Sequence, residues 1–151
     1  MMKELRTEIE IKAPIRRVWE VLTDFDRYPE WNPFVREISG DLRRGARLRV
    51  HLAPPGRSGM RFKPVVRDVE PGKTFRWLGH LLMPRLFDGE HIFELEPLDN
   101  NSVCFVQREV FRGMLVGLFR HMLDTDTRYG FNAMNEALKK RAEDRAGQKS
   151  A

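Results

Sequence analysis

GMLVGLFRHMLDTDTRYGFNAMNEALKKRAEDR, residues 113–145, contains no proline, and its reading decides how the rest of the chain is arranged. At helical spacing Val116, Phe119, Leu123, Thr127, Gly130, Phe131, Met134 and Leu138 fall on one stripe, which Leu115, Leu118 and Met122 widen in its first half. An unbroken helix over this stretch would approach roughly 50 Å at about 1.5 Å per residue, so it must lie across something broad. Gly117 and Gly130 each cost about 1 kcal/mol relative to Ala in a helix interior. The polar run Asp124 to Arg128 also interrupts the stripe, so a kink or break is expected there.

Upstream the pattern is that of β-structure. Leu5, Thr7, Ile9 and Ile11 alternate with Glu4, Arg6, Glu8, Glu10 and Lys12, as a half-buried strand requires. Ala13-Pro14 ends that strand, and Ile15, Val18, Trp19 and Leu22 recur at helical spacing to about Asp24. FDRYPEWNPF, residues 25–34, carries two prolines and cannot be one regular helix; Phe25, Tyr28, Trp31 and Phe34 are expected to form a rigid aromatic corner with apolar surface. Strand patterns then cover 35–39, 46–52, 61–69, 74–81, 90–96 and 102–111, joined by Gly-, Pro- and Asn-rich turns short enough to make neighbours antiparallel. The expectation is a curved sheet of about seven strands around one long carboxy-terminal helix.

The 151 residues fit one domain, taken as 1–146 with a polar tail at 147–151. A single cysteine, Cys104, excludes an intrachain disulfide, and no cysteine–histidine cluster suggests zinc. The first residues are charged where a leader would be apolar, and no stretch approaches about 18 apolar residues, so a cytoplasmic chain without membrane insertion is expected. The net charge of +5, from 27 Lys and Arg against 22 Asp and Glu, is spread along strands and turns without a nucleic-acid motif. No nucleic-acid partner, metal or cofactor is expected, and the chain is read as a monomer or weak homodimer.

Three segments carry a resemblance. IEIKAPIRRVWEVLTD (9–24), FDRYPEWNPF (25–34), and GEHIFELEPL (89–98) followed by QREVFRGM (107–114) are similar to the first strand and helix, the second helical corner and the last two strands of the SRPBCC superfamily. That superfamily includes START, pollen-allergen-like and polyketide cyclase-like proteins. The resemblance implies an α+β helix-grip fold, in which a seven-stranded antiparallel sheet with two short helices after its first strand curls around the last helix over an apolar cavity. It implies a small hydrophobic ligand, lipid-, polyketide- or isoprenoid-like. A cyclase or dehydratase acting in the same cavity is the alternative, and a protein-binding module like the chaperone-activator relatives, using the aromatics of 25–34, is a third.

By alternation the inward faces carry Leu48, Val50 and Leu52; Phe62, Pro64 and Val66; Phe75, Trp77 and Gly79; His91, Phe93 and Leu95; and Phe105, Gln107, Glu109 and Phe111. The face of Glu90, Ile92, Glu94 and Glu96 is then outward. The expected ligand-binding set is Trp31, Phe34, Val50, Phe62, Val66, Trp77, His91, Phe93, Phe105, Gln107, Glu109, Phe119, Leu123, Thr127 and Phe131. His91 and Glu109 are the candidate catalytic groups, since a histidine among aromatics can donate a hydrogen bond or move protons near neutral pH. The alternative for His91 is a core histidine paired with a carbonyl or with Glu109. No nucleophile stands beside a base in a known motif, Asp124 and Asp126 fall on different helix faces, and Gly56-Arg57-Ser58-Gly59 lacks the lysine of a phosphate loop. LLMPRLFD, residues 81–88, is apolar for a turn and places Leu82, Met83, Leu86 and Phe87 either at a cavity rim or against Met114 and Leu115.

Overall fold

The alternation at the amino terminus becomes β1 (Met2–Ile11) in the computed structural model, which describes residues 2–56, 59–81 and 85–148. Pro14 has the extended conformation of a cap and its carbonyl accepts the first helical bond from Val18, so α1 runs Ile15–Thr23. A 3₁₀ turn (Phe25–Arg27) and α2 (Tyr28–Trp31) make the corner. There follow β2 (Val35–Ser39), β3 (Arg49–Leu52), β4 (Met60–Phe62), β5 (Val65–Glu70), β6 (Thr74–Leu81), β7 (Phe87–Asp99) and β8 (Ser102–Arg112). The chain closes with α3 (Arg120–Met122), a π turn (Leu123–Thr127) and α4 (Arg128–Gln148).

Among the described residues the strands are eight and form two antiparallel sheets, ordered β1-β8-β7-β6-β5 and β2-β3-β4, where one sheet of seven was expected. The expected strand 61–69 is interrupted at Lys63-Pro64, because Pro64 has no amide to donate to a ladder. Residues 45–48 accordingly change partner. Gly45 donates to Val66 (2.8 Å), Val66 to Ala46 (2.8 Å) and Leu48 to Pro64 (2.9 Å), after which Arg49–Leu52 pairs with β2 and β4. These bonds join the small sheet to the large one.

The last helix begins at Arg120 rather than Gly113. Gly113 has φ +133°, a left-handed value that favours glycine, and a Cβ there would lie 2.4 Å from the Leu86 carbonyl oxygen. The amides of Met114 and Leu115 donate to the Arg85 and Leu86 carbonyls instead of entering a helix. Residues 113–119 therefore wrap in turns, and the helical cost at Gly117 does not arise. The break anticipated at Asp124 to Arg128 is the π turn, an extra residue per turn that often marks functional sites. Beyond it Phe131, Met134, Leu138 and Ala142 are fully buried, each large side chain contributing roughly 1.5–3 kcal/mol. Lys3 pairs with Asp124 at 2.6 Å and holds that carboxyl below its ordinary range.

The aromatic corner turns inward. Phe25, Tyr28 and Phe34 are buried, the Tyr28 hydroxyl donates to the Leu22 carbonyl, and only Trp31 keeps partial exposure. The apolar surface that a protein-binding corner would present is consumed by the core. Ile92, expected outside, is 5 % exposed on the central strand β7, where the long side chains of Arg76 and Arg108 are its cross-strand neighbours. No helix among the described residues is long and apolar enough to cross a membrane. Arg57, Ser58, Leu82 and Met83 of the turns singled out above, and 149–151 of the tail, lie outside the described residues.

Candidate functional site

The antiparallel register of β6, β7, β8 and β1 stacks the inward residues in rows. Phe75, Phe93, Gln107 and Thr7 form one row; Trp77, His91, Glu109 and Leu5 form the next; Gly79, Gly89, Phe111 and Lys3 form the third. The first two rows are filled. His91 stacks on Phe93 at 4.3 Å between ring centroids and 11° between planes, Phe93 stacks on Phe75 at 4.6 Å, and Trp77 and Phe131 lie 5.2 and 4.9 Å from the His91 ring. Val66, Phe105 and Gln107 are buried in the same packing. The third row lacks two side chains, and there the interior opens.

A cavity of about 210 Å³ lies over the two glycines. Among the described residues it is lined by Phe34, Leu52, Met60 and Phe62 on one side, Gly79, Phe87, Gly89, Glu109 and Phe111 on the sheet, and Met122, Leu123 and Thr127 on the helix. Leu123 and Thr127 are the two ends of the π turn. Each missing Cβ is answered by a neighbour: one at Gly79 would stand 3.1 Å from the Phe62 ring, and one at Gly89 would stand 2.4 Å from Glu109 Oε2. Neither glycine has a left-handed φ, so close approach and not backbone conformation requires them.

Of the expected ligand-binding residues, Phe34, Phe62, Glu109, Leu123 and Thr127 meet at this cavity. Val66, Trp77, His91, Phe93, Phe105, Gln107 and Phe131 form the packed floor beneath it, without lining it. Phe119 is 37 % exposed and packs edge-on against Phe87 at the rim. Trp31 packs on Tyr28, and Val50 borders a separate groove of about 890 Å³ that shares Phe62 with the cavity. That groove is open to solvent and carries Arg47, Arg49, His51, Arg61 and Lys63. Gly79 and Gly89 were the signal for the cavity, two small residues in one inward row, and Met122, 40 % exposed, stands at its mouth. Met114 and Leu118 beside it are 80 % and 75 % exposed.

Among the described residues Glu109 is the one ionisable group lining the cavity, and its side chain is 14 % exposed. Burial pushes its pKa up to about 8. Burial drives His91 the other way, down to about 3, against a smaller opposing effect of its hydrogen bond to Gln107. Burial therefore favours the neutral form of both groups. His91 Nδ1 lies 3.4 Å from Glu109 Oε1, and His91 Nε2 is 2.8 Å from Gln107 Oε1. Gln107 Nε2 donates to Asn135 Oδ1 at 2.8 Å, and Asn135 Nδ2 donates to Thr7 Oγ1 at 2.9 Å. His80, the other histidine of this sheet, is exposed and bonded to Asp88 at 2.7 Å. Among the described residues no three His, Cys, Asp or Glu side chains are grouped to hold a metal. A largely apolar hollow carrying one buried carboxyl and the Thr127 hydroxyl can hold an apolar molecule and orient a polar atom of it.

The sequence profile of the family described as polyketide cyclase / dehydrase and lipid transport matches residues 2–143. Among solved structures, the Zhui aromatase/cyclase from Streptomyces sp. R1128 is 19 % identical, with a TM-score of 0.80 over 97 % of this chain and 96 % of that one. A norcoclaurine synthase from Thalictrum flavum, in complex with a transition-state analogue, is 14 % identical with a TM-score of 0.74, covering 97 % of both chains. A START superfamily protein from Mycobacterium smegmatis is 20 % identical with a TM-score of 0.72 over 93 % of this chain and 97 % of that one. At these identities the likeness is one of fold. Among curated proteins no sequence matches.

Proposed function

Because the chain belongs to the polyketide cyclase / dehydrase and lipid transport family, and so to the SRPBCC superfamily, we propose that it binds a small hydrophobic molecule in the cavity between sheet and last helix. The observation that carries this reading is the paired-glycine row, which leaves an apolar hollow of about 210 Å³ around one carboxyl group. At about 30 Å³ per water the hollow has room for roughly seven water-sized groups, enough for one ring. The small-sheet wall of Leu52, Met60 and Phe62 supplies flexible apolar contact, and Glu109 supplies orientation.

Toluene titrated against methyl-labelled protein tests it. Saturable shifts at Leu52, Met60, Met122 and Leu123 are expected, and Met122→Trp, a change at the exposed mouth, should abolish them. Shifts absent, or confined to Val50 and the outer groove, would sink the reading.

A second reading, cyclisation or dehydration of a polyketide-like chain, is favoured by one feature: Glu109 lines the hollow with its pKa pushed up to about 8 by burial, so its carboxyl can give or take a proton near neutral pH. Ring closure of a poly-β-keto thioester by the wild type and not by Glu109→Gln would carry binding over to catalysis. No turnover by either would leave the carrier reading standing alone.

A further inference from the structure

The polar atoms under the cavity form a chain whose direction can be worked out from its far end. The Gln107 backbone carbonyl can only accept, and Thr7 Oγ1 lies 3.4 Å from it, so the Thr7 hydroxyl proton goes there. Thr7 Oγ1 then accepts from Asn135 Nδ2, which turns Asn135 Oδ1 toward Gln107. Gln107 Nε2 fills that position and also faces the Phe131 carbonyl at 3.4 Å, a second group that can only accept. Gln107 Oε1 is thereby left facing His91, and His91 Nε2 must carry a hydrogen. In a neutral ring the other nitrogen, Nδ1, is then a bare lone pair. It is buried without a hydrogen-bond partner, and Glu109 Oε1 stands 3.4 Å away.

An ionised Glu109 would set lone pair against lone pair in apolar surroundings. An imidazolium facing a carboxylate would bury two full charges at 1 % and 14 % side-chain exposure. A carboxylic acid with its hydrogen on Oε1, directed at Nδ1, avoids both. Its second oxygen, Oε2, lies over Gly89 on the cavity side and has no hydrogen to give.

We propose that the cavity takes a small neutral ring bearing a hydroxyl group, a phenol, whose O–H donates to Glu109 Oε2, because the donor chain ending at Thr7 commits the only proton of Glu109 to His91. This rests on the cavity being the ligand site. It makes Thr7, Gln107 and Asn135 positioning residues: they touch no ligand, but they decide that Glu109 offers the cavity an acceptor and not a donor. A ligand carbonyl finds no donor on Glu109, and a ligand carboxylate meets an oxygen lone pair there in largely apolar surroundings.

The test uses the full chain at neutral pH with phenol, benzaldehyde and toluene as probes. Nitrogen NMR of the ligand-free protein should show His91 neutral and protonated on Nε2. The ratio of phenol to toluene affinity should fall about three- to tenfold in Glu109→Met, the worth of one hydrogen bond. It should persist in Glu109→Gln, whose amide nitrogen donates to Nδ1 while its oxygen still accepts. The benzaldehyde to toluene ratio should not fall in either variant. A His91 protonated on Nδ1, a phenol ratio lost in Glu109→Gln, or a carbonyl preference that depends on Glu109 would each overturn the proposal. Failure of all three probes to bind would instead overturn the cavity reading, and the proposal with it.

Discussion

Glu109 and His91 move away from their ordinary pKa values in opposite directions, and together they shape stability against pH. The folded pKa of Glu109, about 8, lies above its ordinary 4.5, so between these values the folded chain keeps a proton that the unfolded chain has released. Its contribution is complete below about 4.5 and is lost as pH rises toward about 8. The folded pKa of His91, about 3, lies below its ordinary 6.5, so its contribution is complete above about 6.5 and is lost as pH falls toward about 3. Between about 4.5 and 6.5 the two effects cancel, since folded and unfolded chains each hold one proton across the pair. A plateau in melting temperature is expected there, with falls on both sides of about 2 kcal/mol each, at 1.4 kcal/mol per pH unit. Glu109→Gln should remove the alkaline fall and leave the acid one. An alkaline fall that persists in that variant would show that another group causes it.

At the level of elements, Gly130 shows how a helix sacrifices propensity for packing. A Cβ there would come within 2.3 Å of the Phe34 ring, which is fully buried, lies edge-on to Phe131 at 5.6 Å and walls the cavity. Gly130→Ala would gain about 1 kcal/mol of helix propensity on an exposed site, yet here it should lower stability by roughly 1–3 kcal/mol through overpacking. Thermal unfolding of the variant decides, and a rise in melting temperature would mean that Phe34 yields freely. Much of this level was legible beforehand. Alternation placed Phe75, Trp77, His91, Phe93, Phe105 and Gln107 on the inner face, and the polar run Asp124 to Arg128, read as a kink or break, marks where the helix takes its π turn. The strand break at Pro64 was passed over because the apolar alternation continues through it, although the missing amide was there to be read. The helix start was set too early because Gly113 to Phe119 has a helical stripe, while the backbone bonds from Met114 and Leu115 to Arg85 and Leu86 are made across the fold and leave no local trace. The cavity was legible only as an absence: alternation ranks what a residue fills, and Gly79 and Gly89 fill nothing.

Across the described residues the positive charge is distributed, and part of it is paired, as where Arg108 bridges Glu4 at 3.1 Å and Glu94 at 2.9 Å, and Arg141 meets Glu30 at 2.7 Å. The larger division is between the two sheets. The β7–β8 and β1–β8 ladders run nearly the full length of their strands, whereas β4 pairs with β3 over only Met60 to Phe62. Amide hydrogen exchange should therefore be slowest at Phe93, Phe105 and Gln107 and several orders of magnitude faster at Arg61 and Val50. Equal protection in both sheets would contradict the division. The interruption at Lys63-Pro64 then has a consequence for time as well as for shape. Because Leu52, Met60 and Phe62 all stand on the weaker sheet, the wall of the cavity can breathe while the aromatic floor stays closed, and a guest is admitted at the rate of that local breathing rather than at the rate of global unfolding.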